Sequence, residues 1–287
     1  MTAEEVFLVD REPTRDARIV RLAMLQARAE PLAIAENIST IDARAREAKE
    51  AGADLLLTPE LFATGYAPAL IHESVSEATA ADIREALRSI AANRGIALAF
   101  STPGPGPAHE RHITATLVDK SGAVVLSYSK SHLFGPAEHF SFRPGTEAPQ
   151  VADLLGLRMA LLICYDVEFP ETVRAAALRG AQVVLVPTAL TAGYENVARV
   201  LVPARALENS LTVAYSNHVG VEDGLELAGA SVVAGPDGNL LVDAGIASGL
   251  VYADLSIPDV DVDYLADRRP GLYRAWDVTR TNQETEQ

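Results

Sequence analysis

Residues 161–171 read LLICYDVEFPE and contain Cys164, the single cysteine of the chain. The residues before it, 157–163, are mostly apolar, and so short an apolar run predicts a buried strand rather than a long helix. Pro170 suits the first turn of a helix, which we predict over residues 171–179. Cys164 is therefore predicted at the carboxyl end of a strand, directly before a strand-to-helix turn, where α/β proteins bind their ligands.

Composition limits the classes of function that the chain can have. Its 287 residues are 48% hydrophobic and 22% charged, as in an ordinary globular protein. The net charge of −15 argues against nucleic acid or an anionic membrane as a partner, because both bind basic surfaces. A single cysteine excludes an intrachain disulfide, so we expect a reducing compartment, the cytoplasm. No apolar run approaches the roughly 20 residues that cross a bilayer, and residues 1–18 do not resemble a secretory signal.

Short strands and helices alternate along the chain, and the order strand, helix, strand, helix, strand, hairpin occurs twice. This order predicts an α/β fold with sheets inside and helices outside. No Ser/Gly-rich linker separates the two halves, so we predict one domain over residues 19–278. A polar N-terminal extension over residues 1–18 and a charged C-terminal tail over residues 279–287 flank it. Residues 131–149 are predicted to form a long polar loop.

Two further stretches share the design of the cysteine stretch, a buried strand that ends in an ionisable residue. In LLLTPELFATGY the strand ends at Glu60, and in LSYSKSHLFG it ends at Lys130, one of three lysines in the chain. Taken singly, Glu60 could be a loop carboxylate, Lys130 a surface lysine, and Cys164 a small apolar core residue. Three strand ends that carry Glu, Lys and Cys together favour a shared site.

A cysteine nucleophile needs this combination of side chains. The thiolate is the reactive form of cysteine, so Glu60 is predicted to accept the thiol proton and later to pass it to a leaving amine. For that role the pKa of Glu60 must be raised by burial. Lys130 is predicted to stabilise the thiolate and the oxyanion of a tetrahedral intermediate, and the backbone N–H of Tyr165 is predicted to complete an oxyanion hole.

These residues and their order resemble the nitrilase superfamily of carbon–nitrogen hydrolases, and the resemblance extends over residues 19–255. Members of that superfamily carry a Glu-Lys-Cys triad in the chain order found here. The resemblance implies a four-layer α-β-β-α sandwich, a homodimer or higher homo-oligomer, no metal and no organic cofactor. It also implies a second glutamate near the thiol, for which Glu138 is the best match and neighbouring Ala137 is the alternative position.

Within the superfamily, the Cys-Tyr-Asp sequence at the nucleophile is similar to amidases, whereas nitrilases usually have Cys-Trp-Glu. The whole pattern resembles bacterial aliphatic amidases, including those that act on 5-aminopentanamide and on amino-acid amides. This implies cysteine-dependent hydrolysis of a small aliphatic or amino amide to a carboxylic acid and ammonia through a thioester. The alternatives left open are hydrolysis of N-carbamoyl amides, acyl transfer to an amine, and a catalytically silent binding protein on the same fold.

The substrate pocket is predicted from the residues that follow the catalytic strand ends. The residues expected to line it are Tyr66, His132, Phe134, Thr188, Ala189 and Tyr194. Each of these side chains could equally pack in the interior. The acidity of the whole protein favours a cationic substrate such as an ω-amino amide.

Overall fold

The computed structural model describes residues 19–256, 262 and 264–276. The predicted N-terminal extension, residues 1–18, and the predicted tail, residues 279–287, lie outside the described residues, so the proposed domain limits stay predictions. Within the described part of the chain, no helix is long and apolar enough to cross a membrane.

The strands lie close to where the apolar runs predict them. In chain order, the described strands are β1 (Val20–Gln26), β2 (Leu55–Leu57), β3 (Ala97–Pro103), β4 (Ile113–Val118), β5 (Val124–Ser129), β6 (Val151–Leu154), β7 (Leu157–Leu161), β8 (Val183–Thr188), β9 (Thr212–Asn217), β10 (Val219–Glu222), β11 (Leu225–Ala228), β12 (Val232–Ala234), β13 (Leu240–Asp243) and β14 (Gly249–Leu255).

These strands form two large sheets and one small hairpin. The first sheet has the order β14-β1-β2-β3-β4-β5, the second has the order β13-β12-β9-β8-β7-β6, and β10 pairs with β11. In each large sheet the central neighbours are parallel, β1 with β2 and β3, and β7 with β8 and β9. The two predicted halves are therefore similar, except that β14 returns to the first sheet and runs antiparallel to β1.

Helices flank the sheets, and two short helical turns lie near the strand ends. The described α-helices are α1 (Ile34–Glu50), α2 (Pro68–Ser74), α3 (Glu77–Arg94), α4 (Gly135–Ser141), α5 (Pro170–Leu178), α6 (Val202–Asn209) and α7 (Pro270–Trp276). A 3-10 turn occupies Cys164–Glu168, and a π-helical turn occupies Val197–Leu201.

Helix α3 shows how local sequence sets the bounds of a helix. The Ser76 hydroxyl accepts a hydrogen bond from the backbone N–H of Thr79 at 3.0 Å and so caps the first turn. The helix ends at Gly95, whose φ of 64° places it in the left-handed region that glycine adopts without steric cost. Its inward side chains include Ile83, Leu87 and Ile90, which recur at helical spacing.

The two sheets pack face to face, and the alternation along β2 shows how the layers divide. Leu55 and Leu57 belong to the buried cluster between the sheets, which also contains Met159 of β7. Leu56 points the other way, into a second cluster formed with α1 and α3. With α5 and α6 covering the second sheet, the layers follow the order α-β-β-α, which confirms the predicted sandwich.

The structure corrects the prediction for residues 131–149, which do not form a loop throughout but contain α4. Gly135, with a φ of 67°, and Pro136 begin this helix. A helix of seven residues is too short to show an apolar period, which is why the pattern did not reveal it. The sequence pattern also did not reveal helix α2, of seven residues, or strands β6, β10 and β11, of four residues each, because they are equally too short to show a period. The sequence predicts one helix over residues 194–207, but in the structure it begins only with the π-helical turn at Val197–Leu201, which continues into α6.

Candidate active site

Two strand ends and helix α4 bring a lysine and two carboxylates together in the interior. Lys130, directly after β5, has its Nζ 2.8 Å from Oε1 of Glu60, which follows β2. The same ammonium lies 2.7 and 2.8 Å from the two carboxylate oxygens of Glu138. All three side chains are fully buried. An ammonium held between two carboxylates in a fully buried site interacts strongly with both, because the local dielectric is low.

Glu138 lies on α4 rather than in a solvated loop. Its Oε1 accepts a hydrogen bond from the Tyr66 hydroxyl at 2.7 Å, and its Oε2 accepts one from the backbone N–H of Phe134 at 2.8 Å. Together with the contacts to Lys130, these bonds engage both carboxylate oxygens. Glu138, and not neighbouring Ala137, therefore contacts the lysine.

Glu60 has one bound oxygen and one free oxygen. Oε1 accepts from Lys130, whereas Oε2 has no hydrogen-bond partner among the described residues. The Cys164 thiol is close enough to lower the pKa of Glu60. Its position relative to Oε2 does not have the geometry of a formed hydrogen bond. Burial raises the pKa of Glu60 to about 7, with the charge of Lys130 opposing and that of Glu138 reinforcing the shift. Such a carboxyl group can accept and return a proton near neutral pH.

Cys164 begins the 3-10 turn after β7 with a φ of 46°. This left-handed conformation is rare for a residue with a side chain, and it persists only where the surrounding structure enforces it. Burial raises the pKa of the thiol, as does the charge of Glu60, while the charge of Lys130 and the backbone N–H of Ala189 oppose the rise. The resting thiol is therefore protonated, and its activation needs a base.

Asp166 joins the cysteine turn to the segment that follows the lysine. Its Oδ1 accepts hydrogen bonds from the Ser131 hydroxyl and the His132 backbone N–H, both at 2.8 Å, and its Oδ2 accepts from the Ile163 N–H at 3.2 Å. The carboxylate is fully buried. It therefore helps to hold Lys130 and Cys164 at a constant separation. The sequence pattern did not predict this role for Asp166, although Asp in the first turn of a helical segment is a common signal for capping.

A cavity of about 420 Å³ adjoins this cluster. Tyr66, whose hydroxyl binds Glu138, and Ala189, whose N–H faces the Cys164 sulfur, belong to its wall. The lining residues are Tyr66, Pro68, Ala69, Phe134, Gly135, Pro136, Ala137, Ala189, Thr191, Tyr194, Asp223 and Leu225. The wall is mostly apolar, and Asp223 is the charged side chain among the described residues that line it.

Two of the predicted pocket residues lie outside this lining. The His132 ring stacks on Phe169, with the ring centres 3.9 Å apart, and its Nδ1 lies 3.0 Å from Oδ1 of Asp166. Thr188 is fully buried, and its carbonyl oxygen accepts the Glu60 backbone N–H at 3.1 Å. Both residues therefore contact residues of the site, but neither lines the cavity.

Tyr165 occupies the second position of the cysteine turn. The first N–H groups of a helical turn have no partner within that turn, because the preceding residues are not helical. The Tyr165 ring meets Phe134 edge to face, with ring centres 5.2 Å apart, which orients the residue beside the cavity.

Among the described residues, no group of three or more His, Cys, Asp or Glu side chains could hold a metal ion.

Comparisons with known proteins agree with this geometry. The family model for carbon-nitrogen hydrolase matches residues 21–263. A hydrolase in the pqqF 5′ region of Pseudomonas protegens is 36% identical, covering 89% of this chain and 91% of that protein. An (R)-stereoselective amidase of Pseudomonas sp. is 34% identical, covering 75% of this chain and 80% of that protein.

A solved structure provides the second line of comparison. The crystal structure of an amidase from Nesterenkonia sp. superposes with a TM-score of 0.86 at 50% identity, covering 90% of this chain and 96% of that one. A mutant of that amidase carries the acetamide moiety of fluoroacetamide covalently added at its active-site cysteine. The chain described here therefore belongs to the carbon-nitrogen hydrolase family of the nitrilase superfamily and is an enzyme that hydrolyses carbon–nitrogen bonds.

Proposed function

We propose that the protein is an amidase that hydrolyses a small aliphatic or amino amide to a carboxylic acid and ammonia, with Cys164 as the nucleophile. The observation that carries the proposal is the buried Lys130 ammonium between Glu60 and Glu138, beside a cysteine held in a left-handed turn. The covalent acetamide adduct at the active-site cysteine of the Nesterenkonia amidase supports it.

The first half of the proposed reaction forms a thioester. As the Cys164 sulfur attacks the amide carbonyl carbon, Glu60 accepts the thiol proton. Lys130 Nζ and the Tyr165 backbone N–H stabilise the oxyanion of the tetrahedral intermediate, and one such donor contributes about 3–4 kcal/mol. The carbon–nitrogen bond then breaks, and Glu60 returns its proton to the nitrogen, which leaves as ammonia. The Glu60 pKa of about 7 suits both proton transfers.

The second half of the proposed reaction releases the acid. Glu60 removes a proton from water as the water oxygen attacks the thioester carbon. The carbon–oxygen bond forms, the carbon–sulfur bond breaks, and Glu60 returns the proton to the Cys164 sulfur. Glu138 binds Lys130 through both oxygens, and we assign it the role of orienting the ammonium toward the oxyanion. This arrangement of nucleophile, base and charge stabiliser follows the general logic of covalent catalysis.

The cavity wall supports an amino amide as the preferred substrate. A mostly apolar wall accepts a short methylene chain, while the Asp223 carboxylate can pair with an ammonium group at the far end of that chain. A neutral amide of the same length would lack this interaction. We therefore propose that 5-aminopentanamide is hydrolysed with a higher kcat/KM than hexanamide, which has a methyl group in place of the ammonium.

The surface and the thiol chemistry also bear on the oligomeric state and the cellular compartment of the protein. We retain the prediction of a homodimer or higher homo-oligomer, which the exposed apolar side chains of Leu178 on α5 and Leu207 on α6 support. Equilibrium sedimentation tests this proposal directly. A reducing compartment such as the cytoplasm suits a protein that uses a thiol nucleophile.

The test is ammonia release from a panel of amides, nitriles and N-carbamoyl compounds, with wild type beside Cys164→Ala. Cys164-dependent ammonia release from amides, with inert nitriles, supports the amidase. A preference for N-carbamoyl compounds instead favours the carbamoylase alternative, and amide products formed in the presence of added amine favour acyl transfer. Asp223→Asn should abolish the preference for 5-aminopentanamide over hexanamide while hexanamide is still hydrolysed. Ammonia release that persists in Cys164→Ala contradicts the whole scheme.

A further inference from the structure

A buried histidine contacts the backbone of the proposed base. His218 lies between β9 and β10 and is fully buried. Its Nε2 is 2.6 Å from the backbone carbonyl oxygen of Glu60, and its Nδ1 is 2.7 Å from Oε1 of Glu222. The ring also stacks on Phe62, with ring centres 5.4 Å apart. These contacts place an ionisable group directly against the Glu60 backbone.

The partners of the ring determine where its protons lie. A carbonyl oxygen can only accept a hydrogen bond, so Nε2 of His218 must carry a hydrogen. Glu222 already accepts two backbone N–H groups, from Ala29 at 2.7 Å and from Tyr66 at 2.9 Å. Such donors favour the ionised carboxylate, which can only accept. Nδ1 therefore carries a hydrogen as well, and the ring is an imidazolium.

The charges that face this ring agree with that assignment. Burial lowers the pKa of His218, but the Glu222 charge and hydrogen bond, the Glu60 carbonyl and the Glu60 charge together raise it above its ordinary value. Burial raises the pKa of Glu222, but the charge and hydrogen bond of His218 outweigh burial and lower it. The two groups form an ion pair that is neutral overall.

The ion pair contacts the backbone at Glu60 and at Tyr66, on either side of a residue in a strained conformation. The Glu60 carbonyl belongs to the peptide that enters Leu61, whose φ is 55°. A residue with a side chain keeps that conformation only where its neighbours enforce it. At the other end of the segment, Glu222 binds the N–H of Tyr66, whose hydroxyl binds Glu138.

We propose that His218 is a permanently protonated positioning residue, and that its ion pair with Glu222 holds Glu60 where this carboxylate exchanges a proton with Cys164. The proposal rests on the proposed role of Glu60 as the base. The ion pair touches neither substrate nor reacting atoms. It acts through the Glu60 carbonyl and, by way of Tyr66, through Glu138.

The protonation state can be measured on the intact wild-type enzyme. We would label histidine with ¹⁵N, record the ring nitrogens from about pH 6 to about pH 9, and assign His218 by comparison with His218→Gln. An ordinary imidazole loses its charge near pH 6.5. We expect both His218 nitrogens to stay protonated over the whole range. A ring that loses either proton within that pH range overturns the proposal, and this result needs no enzymatic activity.

The positioning role needs a kinetic readout. We expect His218→Gln and Glu222→Gln to lower kcat by roughly 10²-fold, with little change in KM, because a displaced base fails in the chemical step rather than in binding. The pH at which iodoacetamide alkylates Cys164 at half its maximal rate should be higher in both variants than in the wild type. The control is His109→Gln, which changes an exposed histidine beside Glu110.

Two results separate the possible failures. If folded His218→Gln keeps the wild-type kcat and the wild-type pH dependence of alkylation, the ion pair is merely structural and the proposal is wrong. If Glu60→Gln leaves alkylation unchanged, the proposed role of Glu60 fails, and the positioning role of His218 falls with it. The NMR result for the ring stands apart from both, because it depends on neither substrate nor base.

Discussion

Glu60→Gln should make the folded protein more stable at pH 8 while abolishing turnover. Glutamine keeps an oxygen that accepts from Lys130 at the position of Oε1, 2.8 Å from Nζ. It also places an uncharged group where the free Oε2 lies buried. The variant therefore resembles the protonated form of Glu60 and cannot ionise. Active sites commonly lower the stability of the fold in this way, because the side chain that the reaction needs is not the one that would stabilise the fold most.

The magnitude follows from the pKa of Glu60, which is about 7 in the folded protein against an ordinary value of 4.5. Each tenfold difference in proton affinity is worth about 1.4 kcal/mol, so ionisation of the buried group destabilises the fold by about 3 kcal/mol. The folded state binds the proton more tightly than the unfolded chain does. Its stability therefore falls as pH rises from 4.5 to about 7. Glu60→Gln should lack that fall.

Chemical denaturation at pH 5 and at pH 8 tests this reasoning. At pH 5 the wild type and the variant should differ little, and at pH 8 the variant should be more stable by about 3 kcal/mol, or roughly 6–12 °C in Tm. Glu147→Gln, at an exposed loop glutamate, is the matched control and should show no such gain. Equal stability of Glu60→Gln and wild type at pH 8 would refute the view that Glu60 is destabilised by burial.

Three further substitutions test other parts of the site. Lys130→Met leaves two buried carboxylates without their shared cation, so urea denaturation at pH 8 should show a loss of about 3–5 kcal/mol, with Lys120→Met, in the exposed turn between β4 and β5, unchanged. Tyr66→Phe removes the hydrogen bond to Glu138, and we expect a loss of stability of about 1.5–3 kcal/mol with a lower kcat. Asp166→Asn replaces the carboxylate that accepts hydrogen bonds from the start of the cysteine turn and from the segment after Lys130. Steady-state kinetics should show kcat reduced by up to roughly 10²-fold with KM nearly unchanged. A wild-type kcat in Asp166→Asn would contradict the holding role of this carboxylate.

Local sequence determined the parts of this protein that depend on neighbours in the chain. Short apolar runs predicted the central strands, because a buried strand must be apolar at most positions. The ionisable residues directly after those runs predicted Glu60, Lys130 and Cys164 as a set, because α/β proteins bind ligands at the carboxyl ends of their strands. The structure places the lysine and Glu60 in contact there. That Glu60 and Lys130 end strands of one sheet and Cys164 ends a strand of the other is a feature that only the packing of the two sheets shows.

Tertiary structure decided what depends on residues far apart in the chain. Strand β14 pairs with β1 across more than two hundred positions, and no local pattern distinguishes that partner from the sheet of its own half. Glu138 is part of the site because α4, too short to show a period, buries it against Lys130. His218 reaches Glu60 across 158 positions. A buried polar group is recognised by its partners, and those partners meet only when the two sheets pack against each other.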